Sequence, residues 1–387
     1  MESENGKTRK VVFWVFALVF IFVVGGIGGS FMDTYLLPKL STNPFFGKFT
    51  IFKKANDNVT VINRTEQVTV KEDDSVNEIS SGASASVVSI ISLNNSQKNL
   101  LPEAEIMSGT GVLATSDGVI VTYRTAIFEN NSSYAVFLFD GEKYDAKLLG
   151  IDNFTNLAYL KINANNLPSI DFANSDDFRS GKKLVAIGNS FSEYQNRFSA
   201  GLLSNVNKTF NLSGKTVASS EKVEGVFETD FDNQQHYLGG PVISYGGSLV
   251  GIIGKISIDN KDIFFQIPSN IIKKSLEVAL NGDLEKRPAL GVYYLTITKE
   301  FAFAHNMKTD KGALIFSPSG RSSLAIIDGS PAQKADLQIS DIIVAVNGNV
   351  VDLSNPLSNL VSQYKKGDQI ELTVLRGGEE IKVPVQL

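Results

Sequence analysis

Only two histidines, His236 and His305, occur among the 387 residues, and cysteine is absent. Histidine is the side chain whose ordinary pKa lies nearest neutrality, so an imidazole base working near pH 7 has to be one of these two. Without cysteine, thiol nucleophiles, disulfides and thiolate metal sites are excluded, and no cofactor is expected. His236 falls in segment 229–241, TDFDNQQHYLGGP, where Leu238 stands directly before Gly239-Gly240-Pro241. Leucine has no proton to give up and no lone pair to attack with. Ser204 and Thr209 are hydroxyls not far off in sequence, but no base is placed to activate them. His305 lies in a stretch, 301–307, that reads as helix or loop, where a lone histidine is ordinarily structural or solvated.

These groups need a scaffold. Short apolar runs with turn signals between them recur at 87–91, 119–121, 135–139, 157–162, 184–187, 201–206, 226–228, 241–244, 248–253 and 263–267. Helical periods are almost absent there, which predicts many short strands in a sandwich or barrel. Ser269 then opens a helix as its N-cap, Ile271, Ile272, Leu276, Val278 and Ala279 make its apolar face, and Asn281-Gly282 ends it. Glu285-Lys286-Arg287-Pro288 reads as a linker. A second module follows, with strands at 290–296 and 313–316, a short helix at 331–335 and a strand at 342–346 leading into an Asn347-Gly348 hairpin turn. A helix at 357–364 and strands at 370–375 and 380–385, joined through Gly377-Gly378, complete it.

The opening residues have another texture. Residues 1–10 are polar, with Lys7, Arg9 and Lys10, and 11–32, VVFWVFALVFIFVVGGIGGSFM, carries no charge. At about 1.5 Å per residue such a run crosses a hydrocarbon core of roughly 30 Å. A cleaved signal peptide with 11–24 as its apolar region is the rival reading; the length of the run and the lack of a clear A-x-A site favour a single-pass anchor. The basic flank places 1–10 in the cytoplasm and the rest of the chain outside it. Residues 33–82 read as a stalk, with some local order at 45–52. A net charge of −5 argues against nucleic acid as a partner.

Segment 229–241 resembles the Gly-x-Ser-Gly-Gly-Pro loop of trypsin-like serine proteases, and its leading Thr-Asp is similar to the HtrA (Deg) branch. The resemblance runs from about residue 87 to 387. The family's strand ending in Thr-Asn-x-His matches Val119-Ile120-Val121-Thr122-Tyr123-Arg124-Thr125-Ala126, which follows Gly109-Thr110-Gly111-Val112. Thr125 then stands where the general-base histidine is expected. The Asp-x-x-x-Asp-Leu-Ala-x-Leu-Lys pattern matches 152–161 and puts Asn156 at the acid's place; the nucleophile falls on Leu238. His236, followed by Tyr237, replaces a glycine that helps form the oxyanion hole.

The resemblance implies a mainly β fold. A trypsin-like double six-stranded β-barrel domain is expected at 83–270, a helix and linker at 271–288 and a PDZ domain at 289–387, behind an N-terminal transmembrane helix at 11–32. Gly329-Ser330-Pro331-Ala332 and Asp341-Ile342-Ile343-Val344-Ala345-Val346-Asn347-Gly348 match the PDZ pattern, with a longer loop than usual at 317–323. PDZ domains add an extended C-terminal peptide to a sheet edge. The residues matching the carboxylate-binding turn are Ala289, Leu290, Gly291 and Val292, and Leu357 and Val361 are candidate pocket walls, although an apolar helix face is as readily core.

Hydrolysis by the standard route needs an imidazole to take the serine proton and a carboxylate to orient it, and the three act as a unit. The expectation is a membrane-anchored, catalytically inactive relative that binds polypeptide C-termini or unfolded chains, or regulates active relatives by mixed assembly. Family members commonly form trimers, which implies a homo- or hetero-oligomer. The alternatives are an active serine-type endopeptidase with an unconventional site and a structural envelope protein whose groove is closed.

Overall fold

The computed structural model describes residues 5–32, 36, 82–94, 106–189, 196–215, 217–321 and 324–387. Apart from residues 36 and 82, the expected stalk at 33–82 lies outside them, with the order foreseen at 45–52; so do 322 and 323 of the 317–323 loop. Two units are distinguished, Met1–Thr69 and Val70–Leu387.

The first unit contributes α1 (Asn5–Phe31), a 27-residue helix. Its side chains are described without a break over 13–29, and Trp14, Phe16, Phe20 and Phe22 are all exposed. Among the described residues no helix is long and apolar enough to cross a membrane; the backbone helix continues beyond the described side chains.

In the second unit six strands close a first barrel: β1 (Val87–Asn94), β2 (Ile106–Leu113), β3 (Val119–Tyr123), β4 (Ser132–Phe137), β5 (Lys143–Asp152) and β6 (Leu157–Ile162), paired in the order β1-β2-β3-β6-β5-β4. A second barrel is built from β7 (Lys183–Gly188), β8 (Arg197–Asn211), β10 (Glu224–Thr229), β11 (Pro241–Ser244), β12 (Leu249–Ile258) and β13 (Lys261–Pro268), in the order β10-β13-β12-β11-β7-β8. The period of two decides what each strand buries. In β3, Ile120 faces the interior of the first barrel, while Val119, Val121 and Tyr123 face the core shared by the two barrels. In β7, Leu184 and Ala186 fill the second barrel and Val185 and Ile187 face the shared core. Every one of these residues is buried, because both faces of these strands are covered. β5 escaped the sequence reading, since its half-exposed residues alternate without forming an apolar run.

Helix α2 (Ser269–Leu280) lays Ile272, Leu276 and Ala279 into the shared core, one helical face at spacings of four and three. Its N-cap is Pro268 and not Ser269, which is the first helical residue. The Ser269 hydroxyl donates instead to Ala173 O at 2.7 Å, so a distant carbonyl outcompetes the local cap.

The third sheet contains β14 (Tyr293–Thr296), β15 (Ala313–Ile315), β16 (Ile342–Val346), β17 (Asn349–Val350), β18 (Gln369–Arg376) and β19 (Glu379–Gln386), with α3 (Lys299–Ala304), α4 (Pro331–Lys334) and α5 (Leu357–Val361). The helix expected over 357–364 thus ends at Val361. The sheet order is β19-β18-β16-β15-β14, with β17 paired to β16 and a further strand, β9 (Ala218–Ser219), on the outer edge of β14. β9 is not a residue pair of this domain: it comes from the second-barrel loop between β8 and β10.

Candidate functional site

Thr125 sits in a 3-10 turn, Arg124–Ala126, directly after β3, and is exposed. The turn is tied to the next position of interest by Arg124 N, which donates to Asn156 O at 2.9 Å. Asn156 is buried and has a φ of 60°, a left-handed conformation that asparagine tolerates. Its Nδ2 donates to Tyr123 Oη at 3.2 Å, and its Oδ1 accepts from Lys222 Nζ at 3.0 Å and Arg124 Nη1 at 3.4 Å. A neutral amide therefore stands between two cations. Burial, and then the nearby charge of Arg124, holds the Lys222 pKa below its usual value; burial pushes the Tyr123 phenol up to about 12.

Leu238 follows the 3-10 turn Gln234–Tyr237 and is only 6% exposed. It belongs to the shared core with Tyr123, Leu157, Ile187 and Phe265. Its carbonyl accepts from Thr110 N at 3.4 Å. The following Gly239 has a φ of 78°, and a Cβ there would lie 2.5 Å from Thr110 O and 3.2 Å from Ala126 Cβ. Backbone thus packs on backbone beside Ala126, and the structure brings the positions of Thr125, Asn156 and Leu238 to one end of the shared core. As arranged, none of these three side chains accepts a proton near neutral pH.

The loop ahead of Leu238 is turned inward. His236 N donates to Asn233 O at 2.9 Å, closing the turn, so this N–H is already engaged. An oxyanion hole requires such a donor to point at the developing charge. Gly188 allows the loop to sit against the end of β7, because a Cβ there would lie 2.5 Å from His236 O. Tyr237 is buried within the second barrel. His305 is exposed, stacking on Phe301 with ring centroids 4.1 Å apart. Ser204 and Thr209 lie on β8 and are both exposed. Among the described residues no group of three His, Cys, Asp or Glu could hold a metal ion.

In the third sheet, Ala289 is exposed while Leu290, Gly291 and Val292 are buried. Leu290 O accepts from Ala332 N at 2.9 Å and Gly291 O from Ile327 N at 2.9 Å, so the turn is braced from the α4 side. Leu357 and Val361 of α5 are buried in this domain's core, which also takes in Ala218 of β9.

Comparison with known proteins gives the arrangement its place. Residues 109–252 match the trypsin-like peptidase domain and 303–387 match the PDZ domain. Over 286 residues the chain is 32% identical to the "Probable periplasmic serine endoprotease DegP-like" of Chlamydia muridarum, covering 73% of this chain and 54% of that one. Over 294 residues it is 31% identical to the "Serine protease Do-like HtrA" of Bacillus subtilis, covering 74% and 64%. The chain is similar to proteins of the HtrA/DegP type. It pairs a trypsin-like serine protease fold with a C-terminal PDZ domain, and it spans little more than half the length of most curated relatives it matches. Structures of the HtrA-type protease AlgW with a tripeptide and with a decapeptide share the fold, with TM-scores of 0.64 and 0.59 at 23% identity over 80% of this chain and 95% and 97% of those.

Three features of this chain were not legible in its motifs. Asp152, the first residue of the matched acid pattern, is fully buried and takes a two-point ion pair from Arg287 as well as hydrogen bonds from the Thr155 and Ser275 hydroxyls. Glu224, at the start of β10, accepts from Tyr294 Oη at 2.6 Å and from the Thr296 hydroxyl, and its backbone exchanges hydrogen bonds with the Asn359 amide of α5. Burial raises the Glu224 pKa to about 7. The third feature is β9 itself. Each joins residues more than sixty positions apart, and no local pattern signals such a pairing.

Proposed function

We propose that this chain is a catalytically inactive member of the HtrA/DegP type that works by binding polypeptides outside the cytoplasm. The observation that carries the reading is Leu238, an alkyl side chain packed into the core at the place of the nucleophile. Thr125 and Asn156 at the other two positions supply neither base nor carboxylate. The engaged His236 N–H supports the same reading from the oxyanion side. The test incubates the full chain with casein and with a serine-directed fluorophosphonate. No labelling and no turnover is the expected result; labelling, or turnover that survives repurification, overturns the reading.

The ligand class in this reading is a polypeptide with a free C-terminus or an unfolded chain, recognised at the PDZ edge formed by β14 and the turn at 289–292. The PDZ match and the peptide complexes of the AlgW fold support it. Residues 11–32 act as a single-pass anchor with 1–10 in the cytoplasm, supported by the uncharged run and the helical backbone. An oligomer, a trimer by resemblance, or a mixed assembly with active relatives would let an inactive subunit regulate catalytic ones. A change in a relative's casein turnover on titration with this chain checks that part.

A further inference from the structure

The edge of β14 on which a PDZ ligand would lie is not bare. β9 pairs with it antiparallel, Tyr294 opposite Ala218 and Tyr293 opposite Ser219. The pairing continues past the strand: Ser220 N donates to Val292 O at 3.0 Å, and Val292 N donates to Ser220 Oγ at 3.0 Å. One residue further on, Gly291 N donates to the Glu221 carboxylate, Oε1, at 2.8 Å. The chain then turns away, with Lys222 N donating to Ser219 O at 3.2 Å.

Antiparallel strand addition to a PDZ edge places successive residues of the ligand along β14 and its terminal carboxylate on the backbone N–H groups of the turn before it. Segment 217–221 reproduces this order: backbone pairing at Ala218 and Ser219, then a carboxylate on Gly291 N. Ala218 is buried within the PDZ core, beside the residues contributed by α5. The segment is braced from behind by buried Asn211, whose Nδ2 donates to Ser219 O at 3.3 Å and Lys222 O at 3.0 Å and whose Oδ1 accepts from Ser219 N at 3.2 Å. Lys215 lies over the Tyr293 ring at 4.8 Å.

From this geometry we infer that segment 217–221 is an internal ligand of the PDZ groove, with the Glu221 side chain standing in for a C-terminal carboxylate, and that external C-termini bind by displacing it. The inference rests on the peptide-recognition reading above and adds its regulation. A strap covalently part of the chain competes at a high effective concentration, so the groove answers only to peptides that outcompete it. Removing the Glu221 carboxylate takes away its bond to Gly291 N and those it accepts from the Ser219 and Ser220 hydroxyls, and lowers that threshold without changing any residue of the 289–296 edge.

The test compares the full-length wild type with Glu221→Ala and Glu221→Gln. The probe is a fluorescent peptide, Lys-Thr-Val-Ala-Ser-Ser, copied from 215–220 and ending in a free carboxylate, with its C-terminal amide as control, backed by a library of free C-termini. Glu221→Ala should bind the acid about tenfold more tightly than wild type, and Glu221→Gln, which keeps an acceptor, by a smaller factor. In parallel, amide exchange over 291–296 should quicken about tenfold in Glu221→Ala without ligand. Equal peptide affinities and unchanged exchange overturn the inference while leaving peptide recognition standing. Faster exchange in Glu221→Ala, with no peptide bound by any variant, supports the strap and sinks the recognition reading instead.

Discussion

Arg287 Nη2 lies 2.5 Å from Asp152 Oδ2, and its Nε lies 3.1 Å from Oδ1. The segment that leads from the barrels into the PDZ domain is therefore fastened to the buried end of β5. Asp152 is fully buried, and Arg287 is the cation paired with it. Removing one member of a buried pair strands the other, at a cost of about 3–5 kcal/mol. Arg287→Ala should lose stability at the lower end of that range, because Thr155, Ser275 and Phe154 N still bond the carboxylate. Urea unfolding reads this directly, and Arg287→Lys should recover only part. A loss under about 1 kcal/mol would count against a structural role for the pair.

Leu238 is core, and its truncation should behave as a core truncation. Leu238→Ala should destabilise by about 2–5 kcal/mol, the usual range for a buried leucine. Leu238→Ser adds a hydroxyl but neither base nor oxyanion donor. Even the triple variant Thr125→His, Asn156→Asp, Leu238→Ser should show no casein turnover, because His236 N still closes the turn onto Asn233 O. Turnover should appear only once His236→Gly is added, since glycine keeps the N–H but gives the backbone the freedom to rotate it away from Asn233 O. Activity in the triple variant alone would show that the loop opens freely.

Asn156 offers a stability gain in the other direction. Its Oδ1 already faces Lys222 and Arg124, and a carboxylate there would replace a neutral acceptor between two cations. Asn156→Asp should stabilise by about 1 kcal/mol. The two cations would depress the new aspartate's folded pKa, so the gain is present above its unfolded value, near 4, and is lost as pH falls through the folded pKa. Thermal unfolding of variant and wild type at pH 7 and pH 3 gives the comparison; a gain retained at pH 3 would contradict the pairing.

Glu224 predicts the opposite pH trend. Burial raises its folded pKa to about 7 from an ordinary 4.5, against the opposing hydrogen bonds of Thr296 and Tyr294. The folded state then holds the proton more tightly than the unfolded state. Its contribution is fully present below pH 4.5, declines as pH rises and is lost above about 7. The shift corresponds to at most about 3 kcal/mol. Denaturant unfolding between pH 5 and 8 should show the decline, and Glu224→Gln should flatten it. Because Glu224 joins β10 to β14 and α5, faster amide exchange in those elements should accompany the rise in pH.

The identity of the side chains at the matched motif positions, and most of the strands, can be read from the sequence alone. Thr125, Asn156 and Leu238 are legible because the nature of a side chain at a motif position is a matter of composition, and no folding can give leucine a proton to transfer. The strands of both barrels were legible where apolar residues cluster, as in β3 and β7, and illegible in β5, where burial is half and alternating. The helix start was misread at Ser269 because a carbonyl 96 residues away claims its hydroxyl. Tertiary structure alone decided which side chains meet across such distances: Arg287 on Asp152, Glu224 under Tyr294, and Glu221 on Gly291. Each is a polar contact whose partner is set by how separate elements pack and not by any local period, so only the assembled chain shows that β9 pairs along β14.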